Sequence, residues 1–339
     1  LLTVPGFAQV PTEPVHLLVL DVSQEEMGAL QIELDLDLGA ALPGGGFEVL
    51  ASTGQREELL RRGIPTRTVT EDLQAFYANR LAASIKPDPN SLSLGAGVVP
   101  PFGNGSLAGY YTFNEVAAVL DQLTAQYPAL MTSKFSVGTT IQGRTIWGVK
   151  ISDNPGVDEG EPEVRIDALH HAREPQSMQT LLWFLFFLLE NYGTDPLATY
   201  LVNEREIFLI PVVNPDGYVY NQNTAPGGGG LWRKNRRNNG DGTFGVDLNR
   251  NYPSQWGFDN SGSSPSTSSE VYRGTHPTSE PEIAGMVSFF AGRDFRTALS
   301  LHTYSDLWLY PYGYITSAPA NQAAYEEIGN LATEVNQYL

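Results

Sequence analysis

Two of the five histidines in this 339-residue chain stand side by side in "IDALHHAREPQS", residues 166–177. His171 is followed three positions later by Glu174, and Pro175 comes next. The run 163–170 reads as a strand, and 175–192 reads as a long apolar helix with proline in its first turn. A strand-to-helix corner can bring an imidazole and a carboxylate at i and i+3 to one point. A distant histidine, His302, ends another strand pattern, 296–302. In open α/β sheets, ligands bind in the crevice beyond the carboxyl ends of the strands. Two imidazoles and a carboxylate delivered there form a ligand set for a catalytic zinc, with the fourth position left for water. A His three before a Glu recurs by chance, and His302 alone reads as a hydrogen-bonded core histidine. The chemistry therefore rests on the combination.

Other stretches add charge of the right kind. "LWRKNRR" (231–237) gathers Arg233, Lys234, Arg236 and Arg237, and "GVDLNRNY" (245–252) brings Asp247, Asn249 and Arg250 together. Lys234 and Arg237 are expected on a solvated loop. "NPDG" (214–217) has the composition of a turn. In "LHTYSDLWLYPYGY" (301–314), Tyr304 falls beside the third candidate ligand, and Trp308, Tyr310 and Tyr314 are expected in the core.

These residues need a scaffold. From Tyr110 onward, helical and strand patterns alternate as in an α/β domain. A helix is predicted over 114–128, strands over 145–152, 163–170, 205–213 and 296–302, and helices over 175–192 and 280–292. Residues 13–83 form a smaller α+β pattern of their own: strands at 15–22 and 47–52, a helix over 23–34 capped by Ser23, a helix over 54–63, then a third strand and another helix. Between the two units, 84–109 is rich in Pro, Gly, Ser and Asn and reads as an exposed linker, with a sequon at Asn104. Residues 1–12 are a tail whose "LLTVPGFA" ends in a small-x-small pattern, the expected remnant of an export signal, so the protein is expected outside the cell.

With 38 acidic against 20 basic side chains the net charge is -18, which argues against nucleic acid and anionic membranes as partners. The nine-residue apolar run Leu181–Leu189 is too short to span a bilayer, which takes about 20 residues. The absence of Cys rules out disulfides and thiol nucleophiles.

"HHAREP", "NPDG", "WRKNRR", "GVDLNRNY", "YRG…SEPE" (272–282) and "LHTYSDLWLYPYGY", in this order, resemble the zinc metallocarboxypeptidases of the carboxypeptidase A type, especially their bacterial carboxypeptidase T-like branch. The match covers 110–339. The resemblance implies a mixed, mostly parallel open sheet flanked by helices, preceded by a prosegment over 13–83. It makes His171, Glu174 and His302 the ligands of one Zn2+ per chain, with His170 a neighbour and Asp247 the carboxylate that orients the first histidine. It assigns Arg233 to the scissile carbonyl, Asn249 and Arg250 to the substrate's C-terminal carboxylate, and Arg173 and Tyr304 to the adjacent subsite. The implied partners are peptides or proteins with a free C-terminal carboxylate and a protease that releases the prosegment; Arg80 is the best trypsin-type site, because Pro87 blocks cleavage after Lys86.

In the family pattern, the general base lies well downstream of the third zinc ligand, beyond Leu339. His276, Glu326, Glu327 and Glu334 have no place in the motifs. The expectation is therefore that residues 1–339 alone are aggregation-prone and, even when soluble with zinc bound, almost without peptidase activity. Two further readings share the motifs: a zinc-binding pseudo-peptidase, and the same fold acting on cell-wall peptides.

Overall fold

Strand patterns and capped helices settle into two sheets, each with its own apolar core. The computed structural model describes residues 13–42, 45–84, 105–304 and 307–336. The tail, most of the linker with its sequon Asn104, Lys86 and the side chains of Arg80 and Glu334 lie outside the described residues.

The N-terminal unit runs β1 (Val15–Leu20), α1 (Gln24–Leu34), β2 (Asp37–Ala41), β3 (Phe47–Ser52), α2 (Thr53–Arg61), β4 (Thr66–Thr70) and α3 (Leu73–Ser84). Ser23 and Ser52 each form a capping box with the residue three positions on, Glu26 and Gln55, which fixes where α1 and α2 start. The antiparallel sheet has the order β2-β3-β1-β4. Leu18, Leu20, Met27, Val49 and Leu59 fill its core.

The larger unit contains α4 (Phe113–Gln126), β5 (Phe135–Thr139), β6 (Thr145–Ile151), β7 (Glu163–Ala168), α5 (Pro175–Asn191), α6 (Pro196–Asn203), β8 (Glu206–Ile210), α7 (Pro215–Thr224), a 3-10 turn (Leu248–Arg250), α8 (Pro281–Ala291), β9 (Phe295–Leu301) and α9 (Gln322–Asn336). Its sheet, ordered β5-β6-β8-β7-β9, is mixed. β7 pairs in parallel with both β8 and β9, while β6 runs antiparallel to β5 and β8. The apolar run of α5 buries Leu181, Leu182, Leu185, Phe186, Leu188 and Leu189 in the core that backs β7.

Several expectations need correction. "NPDG" is no isolated turn: Asn214 is the N-cap of α7, with Pro215 at its first position, a normal place for proline, whose missing N–H is not needed there. Lys234 is not solvated, and Arg237 is only partly so. Lys234 is buried and donates to the carbonyls of Thr267 and Ser269, and Arg237 pairs with the buried Glu280. Tyr310 is exposed, and Trp308 and Tyr314 are only partly covered, so none of the three is core. Glu326 and Glu327 are exposed.

Candidate metal centre

Parallel pairing brings the histidines together. In the β7–β9 ladder Ala168 lies opposite Leu301, so the two strands end level and the next residues leave at the same edge of the sheet. Leu169, fully buried, takes a left-handed φ of 58°, an uncommon conformation for a non-glycine residue. This bend ends β7 and turns the following residues across the strand ends. Glu174 then serves as the N-cap residue of α5, ahead of Pro175.

His171 Nδ1 lies 2.8 Å from Glu174 Oε1, and His302 Nδ1 lies 2.9 Å from Glu174 Oε2 and 3.1 Å from His171 Nδ1. Zinc bonds of about 2.0–2.1 Å in a tetrahedron require ligand atoms roughly 3.3 Å apart. The three side chains thus already surround one point at nearly the right spacing. His171 and Glu174 are buried and His302 is partly open to solvent. The other ring nitrogen of His171, Nε2, faces Asp247 Oδ1 at 3.2 Å. A metal-bound imidazole commonly holds such a carboxylate on its far side. The donor set fits a zinc ion. Burial works against the charge on Glu174 and on Asp247. It is outweighed by His171 and His302 around Glu174, and by Arg233, His171 and Arg250 around Asp247, so both carboxyls sit well below their usual range.

Asp247 is shared. Its Oδ2 accepts from Arg233 Nε and Nη2 at 3.1 and 2.9 Å, and its Oδ1 accepts from the backbone N–H of Asn249. Arg233 Nη1 stands 3.9 Å from Glu174 Oε1, at the rim of the three-ligand cluster. Arg250 donates to the carbonyl oxygens of Gly262 and Asn249. Among the described residues no carboxylate lies within salt-bridge distance of it. Arg173 is instead taken up by the N-terminal unit, pairing with Asp37 of β2 at 2.5 Å. Tyr304 lies against the same strand, so close that a Cβ added to Gly39 would stand 2.9 Å from its hydroxyl.

His170 stands beside the cluster: its Nε2 meets the Tyr252 hydroxyl at 2.8 Å, and its ring stacks on that of His302 with centroids 5.8 Å apart. His276 is exposed, and its ring meets the adjacent carbonyl of Pro277.

Several supporting residues escaped sequence reasoning. Asn214 and Asn221, seven apart and so on one face of α7, reach two different loops. Asn214 Nδ2 donates to the carbonyls of His170 and Arg233, and Asn221 Nδ2 to those of Ala172 and Trp232. α7 therefore holds the ligand-bearing turn beside the arginine-bearing loop. Gly217 permits the approach: a Cβ there would stand 2.5 Å from the Lys234 carbonyl oxygen. An Asn-Pro pair after a strand was the available signal for this helix start. Asp37, far off in sequence, carried none.

Residues 116–339 match the zinc carboxypeptidase family, peptidase M14. The chain is 37% identical to a zinc carboxypeptidase of Saccharothrix mutabilis subsp. capreolus over 98% of its own length and 75% of that protein's. It is 37% identical to rat carboxypeptidase A2 over 68% of its length and 54% of the relative's, and 36% identical to pig carboxypeptidase A1 over 66% and 52%. It thus spans about half the length of these mammalian relatives. Among solved structures it is similar to carboxypeptidase A from Helicoverpa armigera, with a TM-score of 0.76 and 26% identity, covering 96% of this chain and 78% of that one.

Proposed function

The chain belongs to the zinc carboxypeptidase family, and from that premise we propose that it carries the zinc-binding and carboxylate-binding part of a metallo-exopeptidase acting on the C-terminal bond of peptides. The observation that carries the proposal is the convergence of His171, Glu174 and His302 on one point, beside an Arg250 that has no carboxylate within salt-bridge distance among the described residues. The zinc expected there, one per chain, would supply a Lewis acid and a water of lowered pKa.

The chain's own residues do the rest. Asp247 holds the proton on His171 Nε2 and so leaves Nδ1 free as a ligand. Arg233, fixed by Asp247 and close to Glu174, is placed to stabilise negative charge developing on a scissile carbonyl oxygen. Arg250, with the side-chain amide of Asn249 next to it in the chain, would grip a free α-carboxylate. Arg173 and Tyr304 border the neighbouring subsite.

The N-terminal unit is proposed as a prosegment released by a protease acting in the linker. Its β2 lies against Arg173 and Tyr304, where a substrate would extend. Export from the cell belongs to the same proposal. No helix among the described residues is long and apolar enough to cross a membrane.

The test is a binding comparison on zinc-loaded protein freed of its N-terminal unit. A peptide with a free C-terminal carboxylate should bind, its amide should bind far more weakly, and Arg250→Ala should abolish the difference. Equal binding of acid and amide by the unaltered protein would contradict the assignment of Arg250.

A further inference from the structure

Behind the Arg233–Asp247 pair lies a second charged cluster with no part in zinc binding. Asp216 of α7, Glu280 and Glu282 are each completely buried. Two of them have cations: Asp216 pairs with Arg144 from the turn after β5, and Glu280 pairs with Arg237 from the 231–237 loop. Glu282 has none within salt-bridge distance among the described residues. It receives two long contacts, both at 3.4 Å, from the backbone N–H of Ile141 and from Asn235 Nδ2. Three carboxylates thus face two guanidiniums. An unpaired ionised carboxylate in such a place is costly enough that it takes up a proton instead.

Asn235 joins this cluster to the site. It is fully buried, and its Nδ2 donates to Glu280 Oε2 at 2.7 Å and lies 3.4 Å from Glu282 Oε2. Its Oδ1 accepts from the N–H of Val246 and of Arg237, and its own N–H donates to the Val246 carbonyl. Asn235 is two residues from Arg233, and Val246 is next to Asp247. The joint between these two segments therefore depends on the asparagine's orientation, which the Glu280–Glu282 pair sets.

We propose that Glu282 is held as the neutral acid and is a positioning residue: through Asn235 it keeps the segment carrying Arg233 fastened to the segment carrying Asp247, and its ionisation loosens that joint. Ionised Glu282 would add an uncompensated charge beside Glu280 and Asp216 and compete for the Asn235 amide. Burial, together with repulsion from Glu280 and Asp216, pushes its carboxyl up to about 7. A carboxyl raised in the folded state stabilises the fold fully below its unfolded value, and that contribution is lost as pH rises through about 7.

The test uses the full chain and does not depend on peptidase activity or bound zinc. Thermal unfolding and amide exchange (corrected for intrinsic pH dependence) are measured at about pH 5.5 and about pH 8 on the unaltered protein and on Glu282→Gln, a neutral side chain of the same shape. The unaltered protein should lose several degrees of melting temperature on going to the higher pH, with faster exchange of the Asn235 and Val246 amides. Glu282→Gln should lose less than half as much and show no selective acceleration there. Burial also raises Asp167 and Glu270, so a fall of the same size in both proteins would assign the effect to them and overturn the proposal. Should Glu282→Gln fail to fold, the unaltered protein decides alone: equal acceleration of those two amides and of the β7–β8 ladder amides would overturn it.

Discussion

Asp247 sits where three requirements meet. One oxygen faces His171, the other accepts from Nε and Nη2 of Arg233, and the first also caps the turn at Asn249. Replacing it by asparagine keeps the shape but removes the charge that faces His171 and pairs with Arg233. Asp247→Asn is expected to lower zinc affinity about 10–100-fold, measured by competition with a chromophoric chelator; an unchanged affinity would mean that His171 is oriented by something else. Arg250 is the complementary case, a partly buried guanidinium that among the described residues donates only to carbonyl oxygens. Arg250→Ala should weaken binding of a free C-terminal carboxylate by about 2–5 kcal/mol, the range for truncating one partner of a buried, hydrogen-bonded charge pair. It should leave the affinity for the corresponding amide nearly unchanged.

At the scale of elements, the site is a set of loops pinned to rigid strands and helices. The ends of β7 and β9 bring the histidines level, and α7 ties the turn after β7 to the loop of Arg233 through Asn214 and Asn221. Asn214→Ala would leave the Gly217 N–H without its cap and the His170 carbonyl without the Asn214 amide, while the Arg233 carbonyl keeps the Ala172 N–H; the cost is about 1–3 kcal/mol for each group left unsatisfied. The midpoint of urea unfolding should fall accordingly, with an unchanged slope. β7, β9, α5 and the His171–Glu174 corner were legible in the sequence because their apolar runs end where chemistry-bearing residues begin. α7 was not, because "NPDG" reads equally as a turn or as a helix start, and only the strand before it and the loop beside it decide. β2 ("DLGAA") and β5 ("FSVGT") lack a long apolar run and form through the strands beside them. Lys234 and Arg237 looked solvated because their acceptors, the Thr267 and Ser269 carbonyls and Glu280, come from segments more than 30 residues away.

At the scale of the whole molecule, the N-terminal unit lies over the open side of the site. Asp37 reaches Arg173, Asp35 reaches the Ser269 hydroxyl, and Gly39 lies under Tyr304. Burial works against the charge on Asp37, but Arg173 and Arg233 outweigh it and keep its carboxyl below the usual range. The contact is thus charge on charge, between two side chains that are both largely covered. Removing one partner of a buried pair is strongly destabilising, by about 3–5 kcal/mol. Asp37→Ala should therefore release the N-terminal unit after a single cut in the linker, whereas the unaltered protein should retain it through gel filtration. Release from both proteins alike would show that Asp37 does not hold the unit in place. The central claim, that His171, Glu174 and His302 hold one zinc, is tested most directly by counting metal. The unaltered protein should carry one equivalent of zinc after dialysis, and a His171→Ala/His302→Ala double variant that still folds should carry close to none. A full equivalent retained by that variant would contradict the account.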